Sequence, residues 1–458
     1  MNSLDMKRDL LLILPQLVLL LTAVGALAAE MLRWRRLGLG AVLVGLGAAV
    51  AVTIPRLAES TTAFAGTFRV DLLSHWAVLI LAPSAGLCCL LARQELRGTP
   101  REGTVYSLLV FGTLGAVLLA GSGDAMFLVL GLLMNSLSGF ALAAYAKTKP
   151  STEGAMKYFI YGTVTTAILI FGLTYWAGIT GDTLLASLGR AGLPPLALAF
   201  GFIALLTGLG YAASVFPFHF WTPDTFEGAP VSVAAYLSVV PKIGVFFALA
   251  QVGRSLPASP VAWPLVLAVL AVGSMTFGNL LALLQQKLVR LLAYSTIAQA
   301  GYFLLAVVSL PAGAGALRAL IIFAAAYAAM NIGAFAVVLG TGKTLADFRR
   351  LGTRRVFAGA ALSVFLFSLV GIPPLAGFAG KLLLFEATMA AGYTWLAVAA
   401  VLNSVLSLAV YLRVVAVMYF GGAGNEPELA PVSWAGRAVV LVCFGVTVAL
   451  AFVLQYFF

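Results

Sequence analysis

A succession of apolar runs, each long enough to cross a bilayer, constrains this chain more than any other feature. A spanning helix needs about 20 mostly apolar residues. Fourteen such runs lie between polar or Gly/Pro breaks, near 10–28, 37–54, 72–92, 105–121, 124–145, 155–177, 194–215, 229–251, 262–284, 291–310, 316–339, 356–390, 394–420 and 436–457. The run 356–390 is too long for one straight crossing and contains Gly371-Ile372-Pro373-Pro374, so it reads as a single broken helix. The predicted class is an all-α polytopic membrane protein, a single membrane domain over 1–458 with no soluble domain. Of 458 residues, 62% are hydrophobic and 9% charged, against roughly half and a quarter in soluble domains. That balance excludes a soluble enzyme, a disordered chain and a nucleic-acid binder, despite a net charge of +11.

The first run follows Lys7 and Arg8 and ends Ala26-Leu27-Ala28, which mimics a signal-peptide cleavage site. Its length, and Arg33, Arg35 and Arg36 after it, favour a retained span. Loop charges then set the topology. Seventeen Lys/Arg fall in odd-numbered loops, seven on the other side, and Lys242, Lys381 and Arg413 inside spans. The positive-inside rule puts the odd loops in the cytoplasm and both termini outside, in a bacterial plasma membrane. The tract Arg349–Arg355 reads as a topology determinant, with a contact to anionic lipid as the lesser option.

No cysteine pair or histidine cluster has metal-ligand spacing, and no glycine-rich phosphate motif follows a strand. The expectation is no metal, no cofactor and no catalytic residue on this chain, with any redox step on another chain. What remains is charge at membrane depth, which is costly and marks function by default. Lys242 sits in Val239-Val240-Pro241-Lys242, and Lys381 in Gly377-Phe378-Ala379-Gly380-Lys381. Burial disfavours a charged amine, and lysine, unlike arginine, can then exchange its proton. Glu386 follows Lys381 by five residues, about 500° of helical turn, and so lies roughly 140° away from it. Arg413, near the end of its run, reads as a side chain that reaches the membrane surface.

Proline breaks fall at the end of the seventh run, at Pro217 and Pro223, and in the twelfth, at Pro373 and Pro374. A proline frees a carbonyl one turn back, tolerated at depth only where protein or water covers it. The breaks are five runs apart, and broken helices at matching positions of inverted repeats mark the ion path of a transporter. His219, beside the first break and near Asp224, carries a proton-relay reading alongside a structural one.

At these residues a resemblance emerges. Pro217-Phe218-His219-Phe220-Trp221-Thr222-Pro223-Asp224 and Glu227-Gly228-Ala229-Pro230 resemble a stretch of the antiporter-like membrane subunits of respiratory complex I, most closely the subunit N type. Glu153-Gly154-Ala155-Met156-Lys157-Tyr158-Phe159, Phe277-Gly278-Asn279-Leu280, Arg290-Leu291-Leu292-Ala293-Tyr294-Ser295 and Gly371-Ile372-Pro373-Pro374-Leu375-Ala376-Gly377-Phe378 agree in order and spacing across residues 100 to 420. The resemblance implies two inverted five-helix repeats, spans 4–8 (104–251) and 9–13 (262–420), flanked by spans 1–3 (1–98) and span 14 (436–458). It implies membership of a proton-translocating NADH:quinone oxidoreductase. NADH, FMN, iron–sulfur clusters and quinone would be bound by other subunits, and the partners would be other membrane subunits. It also implies a proton path through Lys242 and Lys381, to which the residues themselves add His219, Asp224 and Glu386 as further proton-path candidates.

The chain departs from that family where a Glu on the fifth helix usually pairs with a Lys on the seventh. Gly131 and Ala212 stand at those places, Gln299 where a His is common, and Gln16 where an acid often follows the first proline. Loss of one partner of a buried pair costs about 3–5 kcal/mol, whereas loss of both can be neutral. The double change therefore reads as compensated, with pumping reduced or absent. The alternatives are a structural spacer in the same complex, or a subunit of a cation/proton antiporter or membrane-bound hydrogenase.

Overall fold

The computed structural model describes residues 3–32, 35–96, 102–190, 192–259, 261–421 and 432–455. Arg33, Arg97 and Arg101, and most of the loop 421–435, lie outside these residues. Eighteen helices are described. In order they are α1 (Ser3–Leu12), α2 (Leu14–Met31), α3 (Arg35–Thr53), α4 (Leu72–Leu96), α5 (Glu102–Ala120), α6 (Ala125–Ala143), α7 (Lys149–Thr180), α8 (Pro195–Ala213) and α9 (Trp221–Gly228). The rest are α10 (Val231–Gly253), α11 (Trp263–Leu283), α12 (Leu288–Val308), α13 (Ala314–Thr341), α14 (Leu351–Arg354), α15 (Val356–Val370), α16 (Ala376–Ala390), α17 (Thr394–Phe420) and α18 (Trp434–Gln455).

Thirteen of the described helices are long and apolar enough to cross a membrane alone. The fourteenth crossing is α15 with α16. Each has 15 residues, about 22 Å of helix, too short alone for a hydrocarbon core of about 30 Å. The expected spans are therefore present, with α7 longer at both ends than the 155–177 run. One feature is not helical. A short hairpin, β1 (Thr61–Ala63) and β2 (Phe68–Val70), fills the connection after α3. Its residues lie outside the apolar runs, where a short connection can close on its own backbone hydrogen bonds.

Packing reproduces the two repeats. In the first, α5 packs on α6 and α10, α6 on α7, and α7 on α8. In the second, α11 packs on α12 and α17, α12 on α13, and α13 on α15 and α16. The equivalent helices in span order are thus partners in both halves, and both breaks have the same design. α8 ends at a left-handed residue, Ser214 (φ 60°), and α15 at Gly371 (φ 93°). A cis peptide follows in each, Phe216-Pro217 and Pro373-Pro374. The halves meet where α10 packs on α12 and α13. α10 is enclosed along its length, so its polar residues face protein on every side.

Candidate functional site

The last turn of a helix carries carbonyls without intrahelical partners and a partial negative charge. Normally such an end lies at the membrane surface. The two breaks place one such end inside each repeat, and a lysine answers each. On α10, Lys242 is 1% exposed and donates from Nζ to Ser214 Oγ (2.5 Å) and to the carbonyl of Ala213, the last residue of α8 (3.4 Å). Trp221 and Phe226 flank the ammonium with ring centroids at 5.6 and 5.8 Å. On α16, Lys381 is 2% exposed and donates to the carbonyl of Val370, the last residue of α15 (3.0 Å), and to Ser404 Oγ (3.3 Å). The Tyr302 ring lies 3.8 Å beneath it, a cation–π contact. No carboxylate among the described residues pairs with either lysine.

Between the lysines runs a strip of hydroxyls and amides. Ser238, one turn before Lys242, accepts from Asn331 Nδ2 at 2.6 Å, and its carbonyl accepts from Tyr327 at 2.9 Å. On α12, Gln299 donates to the Leu369 carbonyl (3.1 Å), next to the one Lys381 holds. Tyr302 pairs with Ser404 (2.8 Å) and Tyr411 with Ser295 (2.6 Å). Buried polar atoms are nearly always satisfied by protein or by ordered water. Here Asn331 Oδ1, Gln299 Oε1 and His219 Nδ1 have no protein partner among the described residues. Gln16 Oε1 and Asn135 Oδ1 share that state elsewhere.

The nominated residues separate into three places. Lys242, Lys381 and His219 line the interior. His219 is 5% exposed, stacks between Phe216 and Phe220, and lies near enough to Lys242 for charges to interact. Glu386 is exposed on the opposite face of α16 from the buried Lys381. Asp224 stands on the short helix α9 and accepts from Lys157 on α7 and Arg290 on α12, both at 2.7 Å. Glu227, one turn on, also takes Arg290 (3.0 Å) and pairs with Lys287. Burial works against the Asp224 and Glu227 carboxylates. The hydrogen bonds from these cations outweigh it and hold both below their ordinary 3.8 and 4.5. The α9 carboxylates thus pin the two repeats together at one membrane face. Arg413 caps another helix end, donating to the Leu283 carbonyl of α11.

Gly131 lies on the seam between α6 and α5, where an added Cβ would stand 2.9 Å from the Gly115 carbonyl and 2.9 Å from the Leu119 nitrogen. Both are backbone atoms that cannot swing aside. Ala212 is 7% exposed in the last turn of α8. Ser214, Ser238, Tyr302, Tyr327, Asn331 and Ser404 were not nominated from sequence. Each is a polar residue in an apolar run, a pattern too common to single out without its partner.

The comparisons with known proteins bear on this arrangement. The family described as NADH:quinone oxidoreductase/Mrp antiporter, TM matches residues 122–407, which contain both breaks and both lysines. The chain belongs to this family. NADH-quinone oxidoreductase subunit N of Desulfovibrio desulfuricans is 37% identical, covering 97% of this chain and 94% of its own. F(420)H(2) dehydrogenase subunit N of Methanosarcina mazei is 35% identical over 92% and 87%. Respiratory complex I from Thermus thermophilus contains a chain 31% identical, with TM-score 0.83 and coverage of 95% and 96%. A chain of the Mrp complex from a Dietzia species shares the fold, with TM-score 0.85 at 20% identity and coverage of 100% and 96%.

Proposed function

We propose that this chain is a membrane-arm subunit of a complex I-type NADH:quinone oxidoreductase, passing protons along the strip between Lys242 and Lys381. NADH, FMN, iron–sulfur clusters and quinone are assigned to other subunits, and the neighbours in the membrane are other subunits of the same assembly. The loop charges assign the odd loops to the cytoplasm and both termini to the outer side of a bacterial plasma membrane. One observation carries the reading. Two buried ammoniums rest on the last carbonyls of two broken half-helices, with no described carboxylate to hold their charge in place. Dipoles satisfy an ammonium less completely than a carboxylate does, so a proton held there can leave at modest cost. Asn331 Oδ1, Gln299 Oε1 and His219 Nδ1 are the natural places for water to complete a relay between them. The donor is open to exchange within this reading, since one relative is named for F(420)H(2).

A second reading, a spacer that holds neighbouring pump subunits in register, is favoured by Gly131 and Ala212. The α5–α6 seam leaves no volume for a carboxylate at 131, so an acid–amine pair built on these two positions is absent. The deciding experiment is proton transport per NADH in vesicles carrying the assembled complex, comparing Lys242→Ala and Lys381→Ala with the parent. A lower proton-to-electron ratio with assembly intact supports transport through this chain. An unchanged ratio makes it a spacer.

A further inference from the structure

A buried amine that exchanges its proton makes a demand that a fixed charge does not. As an ammonium it needs acceptors. As a neutral amine it uncovers a lone pair and needs a donor as well, since a buried polar atom left unpaired is costly. A backbone carbonyl only accepts, whereas a hydroxyl both accepts and donates. Each lysine of the strip has one partner of each kind. Lys242 holds the Ala213 carbonyl and Ser214 Oγ, and Lys381 holds the Val370 carbonyl and Ser404 Oγ. Behind each serine stands a second hydroxyl. Ser214 Oγ lies 2.6 Å from Thr222 Oγ1. Ser404 Oγ lies 2.8 Å from the Tyr302 hydroxyl, which also reaches the Ala400 carbonyl at 3.1 Å. Ser214, Thr222 and Tyr302 are fully buried.

The backbone at the first break points to a use for its hydroxyl. Ser214 has φ 60°, in the left-handed region that favours glycine. At the second break the residue in that conformation is Gly371 (φ 93°). Serine thus stands where glycine would fit with less strain, and such departures cluster where the side chain is needed. The hydroxyl it supplies meets Lys242 and Thr222.

We propose that Ser214 with Thr222, and Ser404 with Tyr302, are reversible hydroxyl pairs that position the two lysines for proton exchange. This inference rests on the proton-transport reading above. With the lysine charged, the ammonium donates to the serine, and the serine donates to the second hydroxyl. With the lysine neutral, both bonds turn round. The second hydroxyl donates to the serine, and the serine donates to the amine lone pair. The lysine keeps its carbonyl and its hydroxyl in either state. The proton that leaves is the lysine's own, taken up by water on the strip, so the serines are positioning residues.

The test is proton transport per NADH in vesicles carrying the assembled complex, with assembly checked on native gels. Ser214→Gly suits the left-handed backbone and removes the hydroxyl, so it should lose most of the transport that Lys242→Ala removes. Ser404→Ala should do the same relative to Lys381→Ala. Thr222 separates a hydroxyl from a packing role. Thr222→Val keeps the shape without the hydroxyl and should lose transport, while Thr222→Ser, which keeps the hydroxyl in a smaller side chain, should recover it. A packing role gives the opposite order. That opposite order, or parent transport in Ser214→Gly where Lys242→Ala lowers it, would overturn the inference and leave the transport reading standing. An unchanged ratio in both lysine variants would overturn the two together.

Discussion

The Nζ of Lys381 donates to the carbonyl oxygen of Val370 at 3.0 Å, across the break that separates the two halves of its own span. The same relation recurs between Lys242 and Ala213, but there the lysine comes from the next span. One electrostatic solution is thus reached by two connectivities. In both, a cation meets the negative end of a half-helix that stops inside the bundle.

On the proposed function a lysine in this position is both a hydrogen-bond donor and a proton carrier, and arginine separates the two roles. Lys381→Arg keeps a charge and a donor for Val370 but cannot deprotonate. It should preserve assembly and lower proton transport per NADH as far as Lys381→Ala does. Transport at the parent ratio in Lys381→Arg would show that fixed charge is what the site supplies. Lys381→Ala should also cost about 1–3 kcal/mol through the unpaired Val370 carbonyl, read as a lower unfolding temperature of the purified complex.

The seam between α5 and α6 is tight at Gly131. Gly131→Ala should destabilise the chain by about 1–3 kcal/mol, because the new methyl meets the Gly115 carbonyl and the Leu119 nitrogen. Gly131→Glu should block assembly outright, because the larger side chain meets the same backbone atoms. Normal assembly of Gly131→Glu, judged on native gels, would refute the packing.

Glu95 at the end of α4 caps a helix 136 residues away. Its carboxylate accepts from the Val231 nitrogen (2.9 Å), the Ser232 nitrogen (3.0 Å) and Ser232 Oγ (2.7 Å) at the start of α10. Glu95→Ala should cost about 0.5–2 kcal/mol, the usual worth of a helix cap. Faster amide hydrogen exchange confined to the first turn of α10 is the expected signature.

The α9 ion pairs set a pH dependence with a definite sign. Asp224 and Glu227 titrate below their ordinary 3.8 and 4.5 in the folded chain. Their contribution is therefore complete above those values and is lost as pH falls through the lower folded ones. Amide protection across 221–228 should be flat from about pH 6 to 8 and fall below about pH 4. In Asp224→Asn the acid-side loss should shrink. A loss of protection near neutral pH would point to another group.

Much of this molecule was legible along the chain. A span announces itself by local composition, because lipid demands an unbroken apolar helix wherever it is met. A break announces itself by proline, as at Pro217 and Pro373-Pro374. The two interior lysines stood out because ammoniums are rare at that depth. The site was less legible wherever a residue takes its role from a distant partner. Asp224, singled out for a proton path, is bound by Lys157 and Arg290, each more than sixty residues away. Glu95 is indistinct in the sequence, since a carboxylate near a helix end is ordinary until the other helix is in place. Asn331 and Ser238, 93 residues apart, become a hydrogen-bonded pair only when α13 meets α10.

The sequence by itself therefore determined the class, the number of crossings, the positions of the breaks and the residues whose charge has no cheap place in a membrane. These follow from the transfer of local segments out of water, a property each segment carries alone. Only the tertiary structure decided what those charges rest on. It turned Lys242 toward the end of α8, closed the α5–α6 seam over Gly131, and set Ser214 between Lys242 and Thr222. Those outcomes depend on which helices become neighbours, and helix–helix packing in lipid is settled by close contact and hydrogen bonding rather than by apolarity.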